Sequence, residues 1–412
     1  MVLTRRRAHA QALQQRKHFL NLPPELHREI FEYVTEFSTW RERTWFNSLV
    51  TLCKALQYDI EVLLYREVII TRCRSVVTFC RAVAKRNHRA TAVERLLIYV
   101  AGGISIKDHI SRAFPVLTRL TYLQLHATEA RVFEALLDAP FRLTRLHAGG
   151  DCYPACFDEI LKNQPGLTSL AVEFIGEKKV PEMRRDISQL ENLPRLRSLS
   201  VRTDDFPLTC IKSGCNITNL TLLPASHEDI KQAFALFGST LESFTVTRGF
   251  WAGCTTACFW PTSIFRDVRL PNLRYIKIND CYFLGSQHLP ADMDYMVISS
   301  LHEACPALRA FVWFFDYVVW DQLHTHIQAD NPHSQLKCVE YAQWMFDCLS
   351  KLEDLVAWAV SDTLKDESGG LIQHYGRSCD GYSMCALPIG ESDVDLRQIR
   401  SLALSPHTEF SV

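Results

Sequence analysis

Two pairs of cysteines have a spacing that would let both thiolates of a pair bind one metal ion. Cys152 and Cys156 form the first pair, and Cys254 and Cys258 form the second. A structural zinc site takes four Cys or His ligands, and neither pair has a clear second pair of cysteines or histidines at zinc-finger spacing. We therefore expect no metal ion in this protein, and we interpret the cysteines as mostly small, buried packing residues.

The motifs of the best-known catalytic sites do not occur in the sequence. It contains no phosphate-binding P-loop, no dinucleotide-binding glycine string, no Gly-x-Ser-x-Gly motif and no His-Glu-x-x-His motif. A Cys/His dyad remains open because 15 cysteines and 15 histidines are present, but no spacing supports one. We therefore predict a protein that is not an enzyme and has no cofactor, and whose chemistry is recognition.

An apolar pattern repeats along the chain from residue 93 onward. The unit is apolar-x-x-apolar-x-apolar, and its first positions recur roughly every 20 to 35 residues, near the period of leucine-rich repeats. The ten units are Val93/Leu96/Ile98, Leu120/Leu123/Leu125, Leu143/Leu146/Ala148, Leu167/Leu170/Val172, Leu196/Leu199/Val201, Ile217/Leu220/Leu222, Leu241/Phe244/Val246, Leu273/Ile276/Ile278, Leu308/Phe311/Trp313 and Leu336/Val339/Tyr341. Several units follow a proline that would stop an incoming helix, namely Pro115, Pro165, Pro194, Pro271 and Pro306.

Each unit predicts a strand and a helix. The last two apolar residues of a unit lie two positions apart, so they share one face of a strand. Helical patterns lie between the strands, at residues 71–90, 130–138, 156–162, 229–237 and 295–304. Because each strand and each helix has one apolar face, only stacking on neighbouring units buries those faces. The sequence therefore predicts an α/β solenoid, similar to leucine-rich-repeat proteins and with a curved parallel sheet, over residues 71–345.

Residues between the apolar strand positions would face the concave side of this sheet. They are mostly polar or aromatic, and they include Arg95, Tyr99, Tyr122, Gln124, His126, Arg145, His147, Glu173, Arg202, Asn219, Thr221, Thr245, Thr247, Tyr275, Lys277, Asn279 and Phe314. Since Tyr and Arg are typical hot-spot residues of protein interfaces, we predict that a substrate protein binds there. The predicted contacts are Tyr122, Arg145, Arg202, Tyr275 and Lys277.

Two other interpretations of these residues stay open. A solvated sheet face needs polar residues even when no partner binds it. The C-terminal third is also rich in aromatic residues, among them Trp313, Trp320 and Trp344. These rings either fill a terminal core or form a competing binding site.

Residues 22–34 predict an amphipathic helix. Leu22, Leu26, Ile30 and Val34 recur at a spacing of four, which places them on one face. Prolines at positions 23 and 24 suit the first helical positions, where no hydrogen bond is lost. A second apolar run over residues 49–64 predicts one or two further helices, and residues 64–70 change to the β-branched composition of a strand.

Several of these residues together resemble the F-box of fungal-type F-box proteins. The resemblance spans residues 20–70 and rests on Leu22-Pro23-Pro24-Glu25-Leu26, Ile30-Phe31, Val34, Leu52-Cys53-Lys54-Ala55-Leu56 and Leu63-Leu64-Tyr65-Arg66-Glu67-Val68. It implies a three-helix module at residues 19–70 that binds a Skp-type adaptor, which in turn links it to a cullin–RING ubiquitin ligase. The adaptor contacts that the resemblance implies are Leu22, Pro23, Glu25, Leu26, Ile30, Phe31, Cys53 and Lys54.

The resemblance and the repeats together imply the substrate-recognition adaptor of an SCF-type ubiquitin ligase. The alternative is a scaffold without ligase contact, in which the N-terminal helices only cap the open end of the solenoid. The remaining segments are a basic tail at residues 1–18 and an irregular C-terminal cap at residues 346–412, where residues 365–390 have a loop-like composition.

Composition limits the partners and the compartment. Lys plus Arg is 45 and Asp plus Glu is 46, so the net charge is −1, and we expect neither nucleic acid nor a membrane surface as a partner. The N-terminal residues lack the apolar region of a signal peptide. The cysteines show no disulfide spacing. These features predict a cytoplasmic or nuclear protein with reduced thiols.

Overall fold

Helices and strands alternate along the N-terminal part of the chain that the structure describes, and strands predominate in the described C-terminal part. In this computed structural model the described residues are 23, 26, 29, 57–101, 105–150, 155–174, 193–202, 215–249, 264–265, 267–281, 301, 303–316, 354–360, 372–378 and 381–387. The chain divides into two compact units, the N-terminal unit of residues 1–160 and the C-terminal unit of residues 161–412. Both units combine helices with parallel strands, which confirms the predicted mixed α/β class and is consistent with an α/β solenoid.

The described strands of the N-terminal unit form a parallel sheet in which each strand is hydrogen-bonded to the next. The elements are helix α1 (Gln57–Arg66), strand β1 (Glu67–Ile70), helices α2 (Cys73–Lys85) and α3 (Asn87–Ala92), strand β2 (Arg95–Val100), helix α4 (Lys107–Ala113), a 3₁₀ helix (Phe114–Val116), strand β3 (Tyr122–Ala127), a second 3₁₀ helix (Ala130–Leu136) and strand β4 (Arg145–Gly150). Helix α5 (Phe157–Lys162) follows in the chain. The parallel pairing runs from β1 through β2 and β3 to β4.

The sheet begins earlier than the repeat pattern predicts. Strand β1 pairs in parallel with β2, with Val68 beside Leu96. The sequence predicted this strand but assigned it to the helical module of residues 19–70. The repeat pattern did not include this unit because its first position is Tyr65, whereas the unit of β2 begins with the aliphatic residue Val93. Residues 67–70 therefore belong to the sheet.

The apolar positions of the repeat pattern form the core of both units. In the first nine repeat units, every apolar position whose side chain is described is at most 2% exposed. Helices supply the other side of each core, through Val76 and Phe79 on α2 in the N-terminal unit, for example. Burial of this apolar surface contributes about 25 cal/mol per Å², so the pattern that defines the repeats also supplies their main stabilisation.

A shared carbonyl group marks the entrance to most strands. The carbonyl of Glu94 accepts hydrogen bonds from the N–H groups of Thr121 (3.0 Å) and Tyr122 (3.1 Å), and the carbonyl of Thr121 accepts from Thr144 (2.8 Å) and Arg145 (3.1 Å). In the C-terminal unit the same double acceptance occurs at the carbonyls of Thr168, Arg197, Thr218, Glu242 and Arg274. A carbonyl oxygen has two lone pairs, so one group satisfies two consecutive donors. This contact fixes where each strand begins relative to its predecessor.

The C-terminal unit continues the same strand arrangement and ends in a hairpin. Its described elements are strands β5 (Ser169–Phe174), β6 (Ser198–Val201) and β7 (Asn219–Ala225), helix α6 (His227–Phe237), and strands β8 (Ser243–Gly249), β9 (Tyr275–Cys281), β10 (Ala310–Asp316), β11 (Asp354–Val360), β12 (Ile372–Ser378) and β13 (Gly381–Leu387). Strands β5 to β11 pair in parallel in chain order. Ser226 caps α6 by accepting from the N–H of Asp229 at 3.2 Å.

One prediction for the C-terminal end is wrong, and another lies outside the described residues. The tenth predicted unit, Leu336/Val339/Tyr341, belongs to the part of the chain that is not described, and the strand that pairs with β10 is β11 at residues 354–360. The loop-like composition of residues 365–390 conceals strands β12 and β13, which pair antiparallel with Ser378 beside Gly381. These strands lack an apolar alternation, so only backbone pairing, which leaves no composition signal, reveals them.

The predicted three-helix module is described only in part. Leu26 and Glu29 are helical, and the N–H of Leu26 donates to the carbonyl of Pro23 at 3.0 Å. Helix α1 lies where the resemblance implies the last helix. The rest of residues 19–56 lies outside the described residues.

One carboxylate is buried between two helices of the N-terminal unit. The side chain of Glu61 on α1 is 2% exposed. It accepts hydrogen bonds from Arg86 at 2.9 Å, from Arg89 at 2.7 and 2.8 Å and from Gln57 at 2.7 Å, and the Nε2 atom of His88 lies 2.6 Å away. These partners, Arg89 above all, hold the pKa of Glu61 well below its usual range. Since α1 leads into β1 and α3 precedes β2, this cluster holds the first two strands side by side.

Replacing Glu61 by Gln should lower the free energy of unfolding by about 3 kcal/mol, because the substitution leaves partly buried arginines without their carboxylate. Glu94 is a matched control, since it also pairs with two arginines but they are more than half exposed. Glu94→Gln should cost less than about 1 kcal/mol. Urea denaturation of the full chain at pH 7 measures both, and equal losses would contradict the role given to Glu61.

The Glu61 contribution should also depend on pH in a defined direction. Its pKa is lower in the folded state than in the unfolded state, so its stabilisation is complete above the unfolded value of about 4.3 and is lost as the pH falls below it. The stability difference between wild type and Glu61→Gln should therefore narrow below about pH 4. A difference that stayed constant down to pH 3 would exclude this linkage.

Neighbouring positions of β5 should differ sharply in their tolerance of charge. Leu170 is fully buried and Ser169 is half-buried on the opposite face. Leu170→Asp should destabilise the protein by several kcal/mol because it buries an unpaired charge. Ser169→Asp should change stability by about 0.5 kcal/mol or less. Thermal unfolding compares them, and similar losses would mean that the strand faces are assigned incorrectly.

Candidate recognition surface on the strands

Alternate residues of the N-terminal strands point away from the apolar core and form what we call the front face. The register of the strands arranges them in three rows. The first row contains Glu67, Arg95, Tyr122 and Arg145, the second contains Ile69, Leu97, Gln124 and His147, and the third contains Tyr99, His126 and Gly149. Side chains directly opposite one another on neighbouring strands lie within contact distance, so each row can act as one surface.

The first row joins charge to an aromatic ring. The Nη1 atom of Arg95 lies 3.3 Å from the Oε1 atom of Glu67, and its guanidinium lies 5.1 Å from the centre of the Tyr122 ring. This distance is typical of a cation–π contact. The hydroxyl of Tyr122 donates to the Oε1 atom of Gln124 at 3.0 Å, which links the first row to the second.

The second and third rows meet at two histidines. The Nε2 atom of Gln124 lies 2.6 Å from Nδ1 of His147, and the Nε2 atoms of His147 and His126 lie 3.2 Å apart. The ring of Tyr99 stacks on His126 with a centroid distance of 5.2 Å. A continuous set of contacts therefore runs from Glu67 to Tyr99, which we call the front network.

The front network is held in place before any partner arrives. Its side chains start from rigid strands and constrain one another, so little side-chain freedom is lost when a ligand binds. Gln124 is only 8% exposed, whereas Tyr99 is 37% exposed and Ile69 is 51% exposed. The surface thus offers exposed apolar and aromatic groups above a fixed polar layer, which suits recognition of a protein surface.

The structure places the predicted contacts in two separate sets. Tyr122 and Arg145 are direct neighbours in the first row, and Arg145 is exposed. Arg202 and Lys277 belong to the C-terminal unit, where both are half-exposed. Tyr275 lies on the same face of β9 as Lys277 but is only 2% exposed. Because it is buried, Tyr275 is not available as a contact. The alternation of residues along a strand predicts the face on which a side chain lies, but not whether other residues cover that face.

Small polar side chains dominate the corresponding face of the described strands in the C-terminal unit. They include Ser198, Ser200, Asn219, Thr221, Thr245, Thr247 and Asn279. Asn279 donates to the hydroxyl of Thr247 at 3.3 Å. The area that these side chains offer is small, so the large groups of the front network make the N-terminal unit the stronger candidate for a recognition surface.

Two of the eight implied adaptor contacts belong to the described residues. Pro23 and Leu26 are exposed, and Leu26 retains 42% of its surface. Leu22, Glu25, Ile30, Phe31, Cys53 and Lys54 lie outside the described residues. Trp320 and Trp344, which belong to the competing aromatic site, also lie outside them, and only the backbone of Trp313 is described.

Three front-face residues escaped the sequence analysis. Glu67 and Ile69 were assigned to the helical module together with β1, and Leu97 is apolar at a position expected to be polar. The sequence does contain a signal for this strand. Val68 and Ile70 are two positions apart and would share the buried face, as Leu96 and Ile98 do in β2. Glu67 and Ile69 would then point to the front, as Arg95 and Leu97 do.

Five cysteines whose side chains are described are free thiols, and two of them, Cys80 and Cys305, are buried. The other three are Cys73, Cys156 and Cys215. Burial raises the pKa of Cys80 to about 12, and burial also raises the pKa of Cys156 and of Cys305. These three therefore stay protonated at neutral pH. The other cysteines of the two candidate zinc pairs, Cys152, Cys254 and Cys258, lie outside the described residues.

Comparison with known proteins identifies no relative. No protein-family model matches the chain, and no curated protein matches it. The resemblance to F-box proteins thus rests on the motif residues alone. Within the described residues, no helix combines the length and the apolar character that a membrane crossing requires.

Proposed function

We propose that this protein is the substrate-recognition adaptor of an SCF-type (cullin–RING) ubiquitin ligase, acting in the cytoplasm or nucleus. The N-terminal helices bind a Skp-type adaptor, and the front face of the strands binds a substrate protein. The chain itself performs no chemistry. It raises the effective concentration of the substrate near the ubiquitin-transferring subunits and orients it there.

The observation that carries the proposal is the exposure of Leu26. Its side chain keeps 42% of its surface in a helical segment with exposed Pro23 and Glu29 as neighbours. This apolar residue occupies the position at which the F-box resemblance implies adaptor contact. An exposed leucine beside polar residues is a suitable anchor, because burying it in a partner removes apolar surface from water.

The front face supports the substrate-binding half of the proposal. Arg95 and Arg145 supply guanidinium groups that pair with carboxylates, and Ile69 and Tyr99 supply exposed apolar area. Tyr and Arg are the residue types that most often dominate binding energy. The substrate segment that fits best therefore carries acidic side chains next to apolar or aromatic ones.

The second candidate is a scaffold that has no ligase contact. The Glu61 cluster favours it, because it ties α1 firmly to α3 and so uses the last helix of the F-box-like segment to cover the first strands. Terminal repeats need such a cap. The two candidates differ in one property, which is binding to a Skp-type adaptor.

Leu26→Ala should weaken binding to a purified Skp-type adaptor by about 30-fold, the effect of losing a hot-spot side chain. Ile69→Ala is the matched control, since it shortens another exposed aliphatic residue outside the implied adaptor contacts and should leave adaptor affinity unchanged. Both variants should melt near the wild-type temperature. Calorimetry or a pull-down measures the affinity, and wild-type binding by Leu26→Ala would favour the scaffold.

Substrate binding should depend mainly on the N-terminal unit. Proteins captured by proximity labelling with the full chain should be lost from the Tyr122→Ala/Arg145→Ala double variant, because it removes a ring and a charge from the front face. The Arg202→Ala/Lys277→Ala double variant should reduce labelling less, since its contacts stand among small side chains. The opposite ranking would move the recognition surface to the C-terminal unit.

A further inference from the structure

We propose that His126 and His147 form a binding site for a divalent transition-metal cation, with Zn²⁺ as the best-fitting ion, on strands β3 and β4. The site is independent of the proposed ligase role. Residues 126 and 147 are far apart in the sequence, so metal-ligand spacing along the chain does not reveal them. Parallel pairing of β3 with β4 brings them together.

The distance between the two imidazoles fits a shared metal ion. Their Nε2 atoms lie 3.2 Å apart. Two nitrogen ligands of one tetrahedral Zn²⁺, each at the usual 2.0–2.1 Å, lie about 3.4 Å from one another. A cation therefore reaches both nitrogens after a shift of a few tenths of an ångström. Imidazole nitrogen selects Zn²⁺, Cu²⁺ or Ni²⁺ over Mg²⁺ and Ca²⁺, which prefer oxygen ligands.

The neighbouring amide can support the tautomer that metal binding needs. When Nε2 of His147 binds a metal, the proton of that neutral ring sits on Nδ1, and a metal-binding histidine usually donates it to an oxygen. The side-chain amide of Gln124 lies 2.6 Å from Nδ1. If the amide turns over, its oxygen accepts this proton. The Tyr122 hydroxyl tolerates the reversal because it donates or accepts equally well.

The strands hold both rings in position. Gly149 lies opposite His126 and brings no side chain to that place, so the His126 ring has room to approach His147 on the diagonal. Tyr99 stacks on His126, and the two imidazoles meet edge-to-face with centroids 4.6 Å apart. Both rings are half-exposed, so water can complete the coordination. Two rigid ligands make a moderate-affinity site that exchanges with solvent.

The test is a Zn²⁺ titration of the full-length protein by calorimetry, followed by NMR with isotope-labelled histidine. His126→Phe and His147→Phe keep an aromatic ring but remove the nitrogen ligands, and His109→Phe alters another half-exposed histidine, on α4, as a matched control. Wild type and His109→Phe should bind the same number of ions, and each site variant should bind one fewer. Mg²⁺ should not bind at this site.

Gln124→Leu tests the supporting amide separately. It should keep the wild-type number of bound ions but weaken the affinity of this site by about tenfold or more. Circular dichroism checks the fold of every variant, and His126→Gln or His147→Gln replaces a Phe variant that fails to fold. The proposal is overturned if the site variants bind Zn²⁺ as wild type does, or if Zn²⁺ leaves the NMR signals of His126 and His147 unchanged.

Discussion

Seven of the described strands, β3, β4 and β6 to β10, start beside a carbonyl group that belongs to the preceding strand's entrance. At Glu94, for example, one oxygen accepts the N–H groups of Thr121 and Tyr122. An unpaired buried donor at a strand entrance would cost about 1–3 kcal/mol, so this arrangement stabilises the entrances at which it occurs. The shared carbonyl contact fixes the register of neighbouring strands. The register determines which residues stand side by side on the two faces of the sheet, and so it determines the rows of the front face.

The sequence predicted what depends on local apolar spacing and missed what depends on neighbours. The triads beginning at Val93 and Leu120 identified buried positions because a parallel strand needs the same apolar face in every repeat. The repeat pattern did not include strand β1, which pairs with β2, because Tyr65 occupies the position at which the other units have an aliphatic residue. Tyr275 was expected to be exposed, yet it is buried. The residues that cover a strand face belong to other parts of the chain, and the alternation along the strand does not predict them.

The candidate site shows the same limit more clearly. Residue type and position on a strand placed Tyr122, Gln124, His126 and His147 on one face. The amino-acid sequence does not show that Gly149 is the direct neighbour of His126 on the next strand, or that His147 is its diagonal neighbour. That relation is a property of the pairing between strands. In the same unit, Arg86, His88 and Arg89 lie 25 to 28 residues after Glu61 in the sequence, and only packing brings them to its carboxylate.

The shared carbonyls also make the register of the strands, and with it the rows of front-face side chains, independent of the length of the chain between the strands. Because the carbonyl of Thr168 positions the entrance of β6, the length of the chain between β5, which ends at residue 174, and β6, which begins at residue 198, does not set the register. In general, each doubling of the length of a connection adds only about 0.6 kcal/mol of closure entropy. Evolution can therefore insert or remove residues between repeats while the rows of side chains stay aligned.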